Sequence, residues 1–187
     1  MRVIAGSHGG RRLKAPAGWR TRPTSDRVRE ALFAMLGPLE GELVLDLFAG
    51  TGALGIEALS RGAGRAVFVE RDSAAAAALV GNLAALGIAA QTGELRRGDA
   101  LAALRSAREQ GEAYDLIFID PPYRQAALWG PRLSAILPAL LAPQGRIIVE
   151  SDRREPLEID VPVRTERRYG DTSVTIHTHP CLDQQAP

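Results

Sequence analysis

The chain has 187 residues, of which 45% are hydrophobic and 24% charged, a composition typical of a globular domain that buries its own core. Its single cysteine, Cys181, excludes an intrachain disulfide, and we see no signal peptide and no apolar run long enough for a bilayer. These features exclude disulfide-stapled and membrane-spanning classes and lead us to expect a cytoplasmic protein.

The charge is unevenly distributed along the chain. The formal net charge is +1, yet residues 1–30 hold eight basic and two acidic side chains, and the remainder is net acidic. A basic head on an acidic body favours docking to a polyanion. The same pattern also fits a solvated or disordered basic arm.

The first 24 residues are rich in Gly, Arg and Pro and predict a small basic hairpin or an extended arm. Thr24 or Ser25 then offers an N-cap for a helix. The helix has an apolar stripe at i, i+3, i+4, i+7 and i+8, and the charged residues of this segment, including Arg29, are expected mostly off that stripe. Gly37 ends the helix.

Strands and helices alternate through the next hundred residues. Strands are predicted at 43–47, 66–69, within 89–97, at 116–119 and at 146–149, and helices at 53–61, 73–86, 101–109 and 128–141, the last interrupted by Pro131 and Pro138. Such alternation predicts a mostly parallel sheet covered by helices on both faces. Residues 163–168 and 173–178 follow as two strands with no helix between them and should pair antiparallel. Residues 180–187 are expected to be a disordered tail.

A glycine-rich loop joins the first strand to its helix. Gly50, Gly52 and Gly55 match the G-x-G-x-x-G pattern, and Glu70 lies twenty residues beyond Gly50, where it could bind ribose hydroxyls. This pattern also fits a nicotinamide dinucleotide. Asp46, just before the loop, favours the cationic S-adenosylmethionine over an anionic pyrophosphate. Asp99 could accept a bond from an adenine amino group, or could be an ordinary helix N-cap.

Asp120-Pro121-Pro122-Tyr123 follows the apolar strand at 116–119, at the carboxyl end where ligands bind in open α/β sheets. A carboxylate and a prolyl carbonyl can both accept bonds from a nucleobase amino group and orient its lone pair toward a methyl sulfonium. Tyr123 offers a ring on which a flipped-out base can stack. The motif therefore predicts methylation of an exocyclic amine, with the released proton passing to Asp120 or to water.

Taken together, these motifs resemble the RsmD-type 16S rRNA guanine-N2 methyltransferases over roughly residues 1–178. The similarity rests on the opening residues 2–6 and 10–13, the Arg-Pro-Thr segment 22–33, the loop 46–52 with 54–63, the segment 118–123, and Tyr169-Gly170.

This resemblance implies a Rossmann-like class I methyltransferase: a mostly parallel seven-stranded sheet with an antiparallel last strand, plus the small basic N-terminal arm. The domain would span residues 25–179. The expected cofactor-binding residues are Asp46, Phe48, Gly50, Gly52, Glu70, Arg71, Asp99 and Ala100. The expected catalytic residues are Asp120, Pro121, Pro122 and Tyr123. The expected RNA-binding residues are Arg11, Arg12, Arg20, Arg22 and Arg27.

The implied partner is 16S rRNA in an assembling small-subunit particle, bound by a monomer that uses neither a metal nor a membrane. Arg22 or Thr24 could instead close over the carboxylate of the cofactor. His177 and His179 are expected at the surface rather than as metal ligands. Alternative functions are a DNA adenine-N6 or protein glutamine methyltransferase, an NAD-dependent oxidoreductase, and a non-catalytic RNA-binding module.

Overall fold

A computed structural model describes residues 1–16, 25–121 and 126–179. The chain divides into two compact units, Met1–Asp99 and Ala100–Pro187. The first contains α1 (Asp26–Leu36), β1 (Leu43–Asp46), α2 (Ala53–Ser60), β2 (Arg65–Glu70), α3 (Ser73–Leu86) and β3 (Gly93–Arg97). The second contains α4 (Ala100–Glu109), β4 (Tyr114–Ile119), α5 (Ala126–Ser134), a 3-10 helix (Leu137–Leu140), β5 (Leu141–Asp152), β6 (Val163–Tyr169) and β7 (Thr172–Thr178).

The strands form a seven-stranded sheet in the order β3-β2-β1-β4-β5-β7-β6. β1 pairs parallel with β2, β2 with β3, and β4 with β5, whereas β7 runs antiparallel to both β5 and β6. The prediction of a mostly parallel, Rossmann-like sheet with a reversed last strand is confirmed.

Local capping explains why the helices begin and end where the sequence predicts. The Ser25 hydroxyl caps α1 by accepting a hydrogen bond from the Val28 N–H at 3.3 Å. The Asp72 carboxylate caps α3 by accepting from the Ala75 N–H at 2.8 Å, and Gly87 ends that helix at φ 70°. Helices α2 and α3 pack on strands β1 to β3 of the first unit.

The second unit departs from the predicted elements in the segment of α5 and in β5. The helix predicted over 128–141, with interruptions at Pro131 and Pro138, is α5 followed by a separate 3-10 helix that has Pro138 in its first turn. β5 is longer than the predicted 146–149, because residues before and after this apolar stretch also pair with β4 and β7. The break in the helix follows from the local prolines, whereas the length of β5 depends on the strands that pair with it.

Two polar residues that the sequence pattern predicted at the surface are buried in the structure. His177 is 3% exposed, with Nδ1 2.9 Å from the Val161 carbonyl oxygen, and burial lowers the pKa of its imidazole. The surface prediction for His177 is therefore wrong. Arg29, expected off the apolar stripe of α1, is fully buried, because its guanidinium finds polar partners inside the fold.

The described part of the basic arm, residues 1–16, is a hairpin. The Val3 N–H donates to the Arg11 carbonyl, and the Gly10 N–H donates back to the Val3 carbonyl, both at 2.9 Å. Val3 and Leu13 are buried. The hairpin docks on α2, where the buried Glu57 carboxylate accepts from the N–H groups of Ile4 (2.6 Å) and Ala5 (3.1 Å).

Across the ranges that the structure describes, the helices are too short or too polar to serve as a membrane span.

Candidate active site

The loop between β1 and α2 has the tight glycine geometry that its sequence predicts. Gly50 and Gly52 have positive φ values of 53° and 83°, and the Gly52 N–H donates to the Ala49 carbonyl at 2.7 Å. A Cβ on Gly52 would lie 2.3 Å from Leu79 Cδ1. The positive φ favours glycine at position 52, and the Leu79 side chain would have to shift to admit a Cβ, so the loop presents backbone rather than a side chain at this turn.

Gly55 serves packing rather than the turn. A Cβ at this position would lie 2.3 Å from the Phe68 ring on β2, so the glycine lets α2 approach the sheet closely. This is the helix–strand role that the third glycine of such loops is expected to have.

Glu70, at the end of β2, is held against the loop. Its Oε2 accepts a 2.7 Å hydrogen bond from the Gly50 N–H, and its Oε1 accepts one of the same length from the Asp72 N–H. A carboxylate has about four acceptor positions, so these two bonds leave capacity for ligand hydroxyl groups. The structure thus brings together the loop and the carboxylate that the sequence paired at a spacing of twenty residues.

Asp46 is buried, only 3% exposed, and its Oδ2 accepts a hydrogen bond from the Gly55 N–H at 3.0 Å. Burial raises the pKa of Asp46 to about 7; the Gly55 hydrogen bond opposes this shift and the nearby Glu70 carboxylate adds to it. When both carboxyls are ionised, they favour a ligand with a positive charge and disfavour a pyrophosphate.

The remaining predicted cofactor residues lie close in the chain to these anchors. Phe48 is half-buried, and Arg71 is exposed next to Glu70. The Gly98 N–H donates to the Glu70 carbonyl at 3.0 Å, which places the exposed Asp99 one residue from this contact. Ala100 is the buried first residue of α4.

S-adenosylmethionine fits the hydrogen-bond acceptors of the first unit. Its ribose hydroxyls, adenine amine and ammonium are hydrogen-bond donors, and the carboxylates of Asp46 and Glu70 beside the glycine turn are hydrogen-bond acceptors. The glycine turn supplies the close backbone approach that a nucleoside ligand needs.

The predicted acceptor motif begins at the carboxyl end of β4, whose residues 116–119 are buried. Asp120 is half-buried and Pro121 is buried. Pro122 and Tyr123 lie outside the described residues. The position of Asp120 after a buried parallel strand is the one that the sequence predicts.

Three of the five predicted RNA-binding arginines are described, and all three are exposed: Arg11, Arg12 and Arg27. The Arg11 guanidinium also donates to the Ala85 carbonyl at 2.6 Å, near the C-terminus of α3, where a cation stabilises the helix dipole. Arg20 and Arg22 lie outside the described residues.

Sequence reasoning missed Asn82 on α3, whose side chain is 2% exposed. Its Nδ2 donates to the Thr51 carbonyl of the glycine loop and to the Lys14 carbonyl of the hairpin, both at 3.0 Å. An available signal was an asparagine in an Ala- and Leu-rich helix, where this residue type is intrinsically unfavourable.

Within residues 1–16, 25–121 and 126–179, no three His, Cys, Asp or Glu side chains form a group that could hold a metal ion.

The chain is similar to known methyltransferases over almost its whole length. Residues 1–178 match the family model described as Conserved hypothetical protein 95. The Bacillus subtilis protein named "Putative rRNA methyltransferase YlbH" is 41% identical over 186 residues, covering 95% of this chain and 98% of that protein. The "Ribosomal RNA small subunit methyltransferase D" of Haemophilus influenzae is 36% identical over 159 residues, covering 84% of this chain and 81% of that protein.

A solved structure shares this fold. The Escherichia coli structure titled "Putative methyltransferase yhhF" superposes with a TM-score of 0.80 at 34% identity, covering 96% of this chain and 97% of that one. The family model, the relatives and the geometry of the glycine loop agree, and the chain therefore belongs to the RsmD-type family of S-adenosylmethionine-dependent methyltransferases.

Proposed function

We propose that this protein transfers a methyl group from S-adenosylmethionine to the exocyclic N2 of a guanine in 16S rRNA of the assembling small ribosomal subunit. The observation that carries the proposal is the motif beginning Asp120-Pro121 at the end of β4, in a chain matching a methyltransferase family along residues 1–178. The names of the relatives support rRNA as the substrate.

The first unit holds the cofactor in this proposal. The Glu70 carboxylate, fixed by the Gly50 N–H, accepts bonds from the ribose hydroxyls, and Asp99 accepts one from the adenine amine. In its ionised form, the Asp46 carboxylate attracts the ammonium, and a bound cation would in turn oppose the rise in the Asp46 pKa that burial causes. When bound, the cofactor supplies an electrophilic methyl group on a sulfonium.

The second unit holds the base. A guanine amino group is a poor nucleophile because its lone pair is delocalised into the ring. The Asp120 carboxylate and a prolyl carbonyl accept bonds from the two amine hydrogens, which turns the lone pair toward the methyl group and stabilises the positive charge that develops on nitrogen. Tyr123 stacks on the base. The proton leaves to Asp120 or to water.

The basic hairpin carries the electrostatic part of substrate binding. Residues 1–16 hold three arginines and one lysine and no acidic side chain. Arg11 and Arg12, with Arg20, Arg22 and Arg27 further along the chain, contact phosphates and make binding salt-dependent. We propose that the protein acts as a monomer in the cytoplasm.

To test this proposal, the purified protein is incubated with labelled S-adenosylmethionine and with small-subunit particles from cells that lack this enzyme. The modified nucleosides are then mapped by mass spectrometry. N2-methylguanosine at one position of 16S rRNA is the expected product. Naked 16S rRNA, duplex DNA and total cell protein are parallel substrates.

Label found in N6-methyladenine of DNA or in protein glutamine, with none in rRNA, would show that the proposed methyl acceptor is wrong. The proposed cofactor would still stand. Tight binding of NAD without binding of S-adenosylmethionine would reject the whole proposal. Binding of the cofactor and of rRNA without transfer would identify a non-catalytic RNA-binding module.

A further inference from the structure

A single buried amide joins the glycine loop to the N-terminal hairpin. Asn82 Oδ1 accepts a 2.8 Å hydrogen bond from the Lys14 N–H, while Nδ2 donates to the Lys14 and Thr51 carbonyls at 3.0 Å each. The side chain is 2% exposed, so water does not readily substitute for these bonds. Asn82 thus holds one hairpin residue by both of its backbone groups and one loop residue by its carbonyl.

The loop residue that Asn82 holds lies at the centre of the cofactor-binding turn. Thr51 is buried and lies between Gly50, whose N–H is bound by Glu70, and Gly52, whose N–H is bound by the Ala49 carbonyl. Fixing the Thr51 carbonyl fixes the plane of the Thr51–Gly52 peptide. Asn82 therefore completes a set of contacts that sets the shape of the turn.

A second link runs parallel to the first. The fully buried Arg29 guanidinium donates to the Arg2 carbonyl of the hairpin and to the Ala53 carbonyl just after the turn (3.4 Å), and it pairs with Asp26 at 2.8 Å. Asn82 and Arg29 therefore connect residues near both ends of the described hairpin to residues 51 and 53. The hairpin and the turn share these two buried side chains as hydrogen-bond partners.

We propose that Asn82 is a positioning residue that couples the cofactor turn to the basic hairpin, so that binding of the cofactor and ordering of the hairpin stabilise each other. The coupling free energy is the same in both directions. If the ordered hairpin increases the affinity for the cofactor, the bound cofactor must stabilise the ordered hairpin by the same free energy. If the proposed function holds, the loaded enzyme presents a more ordered RNA-docking hairpin than the empty enzyme.

The variants separate coupling from general loss of stability. Asn82→Ala removes all three bonds, and Asn82→Asp keeps the acceptor for the Lys14 N–H but loses both donors. Ser134→Ala is the matched control, because the Ser134 hydroxyl also makes two 2.8 Å bonds to backbone, with Gly130 and Asp160, in the second unit.

The hairpin side is tested without touching α3. Lys14→Pro removes the backbone N–H that Asn82 binds, and Lys14→Ala controls for the loss of the exposed charged side chain. Comparing these two variants keeps the coupling testable if an Asn82 variant fails to fold.

The first measurement is the dissociation constant of S-adenosylhomocysteine by calorimetry. We expect it to weaken about tenfold in both Asn82 variants, and to weaken in Lys14→Pro relative to Lys14→Ala, a size typical of coupling between two sites. Ser134→Ala should bind within about twofold of the wild type. Wild-type affinity in both Asn82 variants would overturn the proposal.

The second measurement is hydrogen exchange of the amides in residues 2–16, with and without S-adenosylhomocysteine. The ligand should slow exchange in the wild type and in Ser134→Ala but not in Asn82→Ala, an effect that a merely structural asparagine would not produce. Equal slowing in the wild type and in Asn82→Ala would contradict the coupling. A wild-type protein that does not bind S-adenosylhomocysteine would contradict the assigned cofactor itself, which distinguishes the two failures.

Discussion

The Glu70 carboxylate and the Gly50 backbone N–H form a 2.7 Å hydrogen bond that ties the end of β2 to the glycine turn after β1. The turn is therefore held in shape by the same side chain that is proposed to bind ribose. Pre-organisation of this kind reduces the ordering that ligand binding would otherwise require.

Replacing Glu70 by Gln should weaken binding of S-adenosylhomocysteine roughly 10- to 100-fold, because a neutral amide loses charged acceptors and turns a donor toward the Gly50 or Asp72 N–H. Calorimetry measures the dissociation constant. Glu94→Gln is the matched control on β3, where the carboxylate pairs with Arg96 at 2.7 Å instead of with the turn. Equal affinity in both variants would contradict the ribose role of Glu70.

Replacing Asp120 by Asn should lower the rate of methyl transfer about 100-fold or more, because the group that neutralises charge developing on the amine is lost. The dissociation constant of S-adenosylhomocysteine should stay within about twofold. Single-turnover transfer to small-subunit particles gives the rate, and Asp115→Asn, at the opposite end of β4, is the control. Loss of cofactor affinity in Asp120→Asn would show that the proposed roles are misplaced.

The buried Asp46 predicts a pH-dependent stability of the cofactor-free protein. Its pKa is raised from 3.8 to about 7, so folding favours the protonated form, and the stability this carboxyl contributes is present below pH 3.8 and lost as the pH rises through 7. Asp46→Asn keeps an acceptor for the Gly55 N–H and removes the charge. At pH 8.5 its free energy of unfolding should exceed that of the wild type by about 2–4 kcal/mol, because each pKa unit corresponds to about 1.36 kcal/mol.

The difference between wild type and Asp46→Asn should shrink as the pH falls toward 5, as measured by urea denaturation at several pH values. Asp160→Asn removes an exposed carboxylate and controls for the change in net charge. A pH-independent difference between wild type and Asp46→Asn would rule out the raised pKa.

The exposed arginines of the hairpin predict a salt-dependent affinity for rRNA. Arg11→Ala and Arg12→Ala should each reduce the slope of log affinity against log salt concentration by about one, because each removes one phosphate contact. Filter binding of 16S rRNA particles at several salt concentrations measures the slope. Arg105→Ala, an exposed arginine on α4, should leave it unchanged. Unchanged slopes in the hairpin variants would show that Arg11 and Arg12 do not contact RNA phosphates.

The local features of this fold could be predicted from sequence because short-range chemistry decides them. The bounds of α3 follow from Asp72 before it and Gly87 after it, and the turn at Gly52 follows from a positive φ that glycine adopts readily. The family motifs likewise identified the carboxylate of Glu70, which the structure holds against Gly50.

Contacts between distant segments could be decided only by the tertiary structure. Arg29 and His177 were expected at the surface from local pattern, yet both are buried, because polar groups at distant positions satisfy them. Asn82 and Thr51 are 31 residues apart in the chain, and no periodicity marks them as partners. Sequence by itself determined the helices of the first unit, the glycine turn and the candidate chemical groups of the site, since these depend on neighbours in the chain. The long-range partners of buried polar groups depend on which strands and helices pack together, and that information exists only in the folded protein.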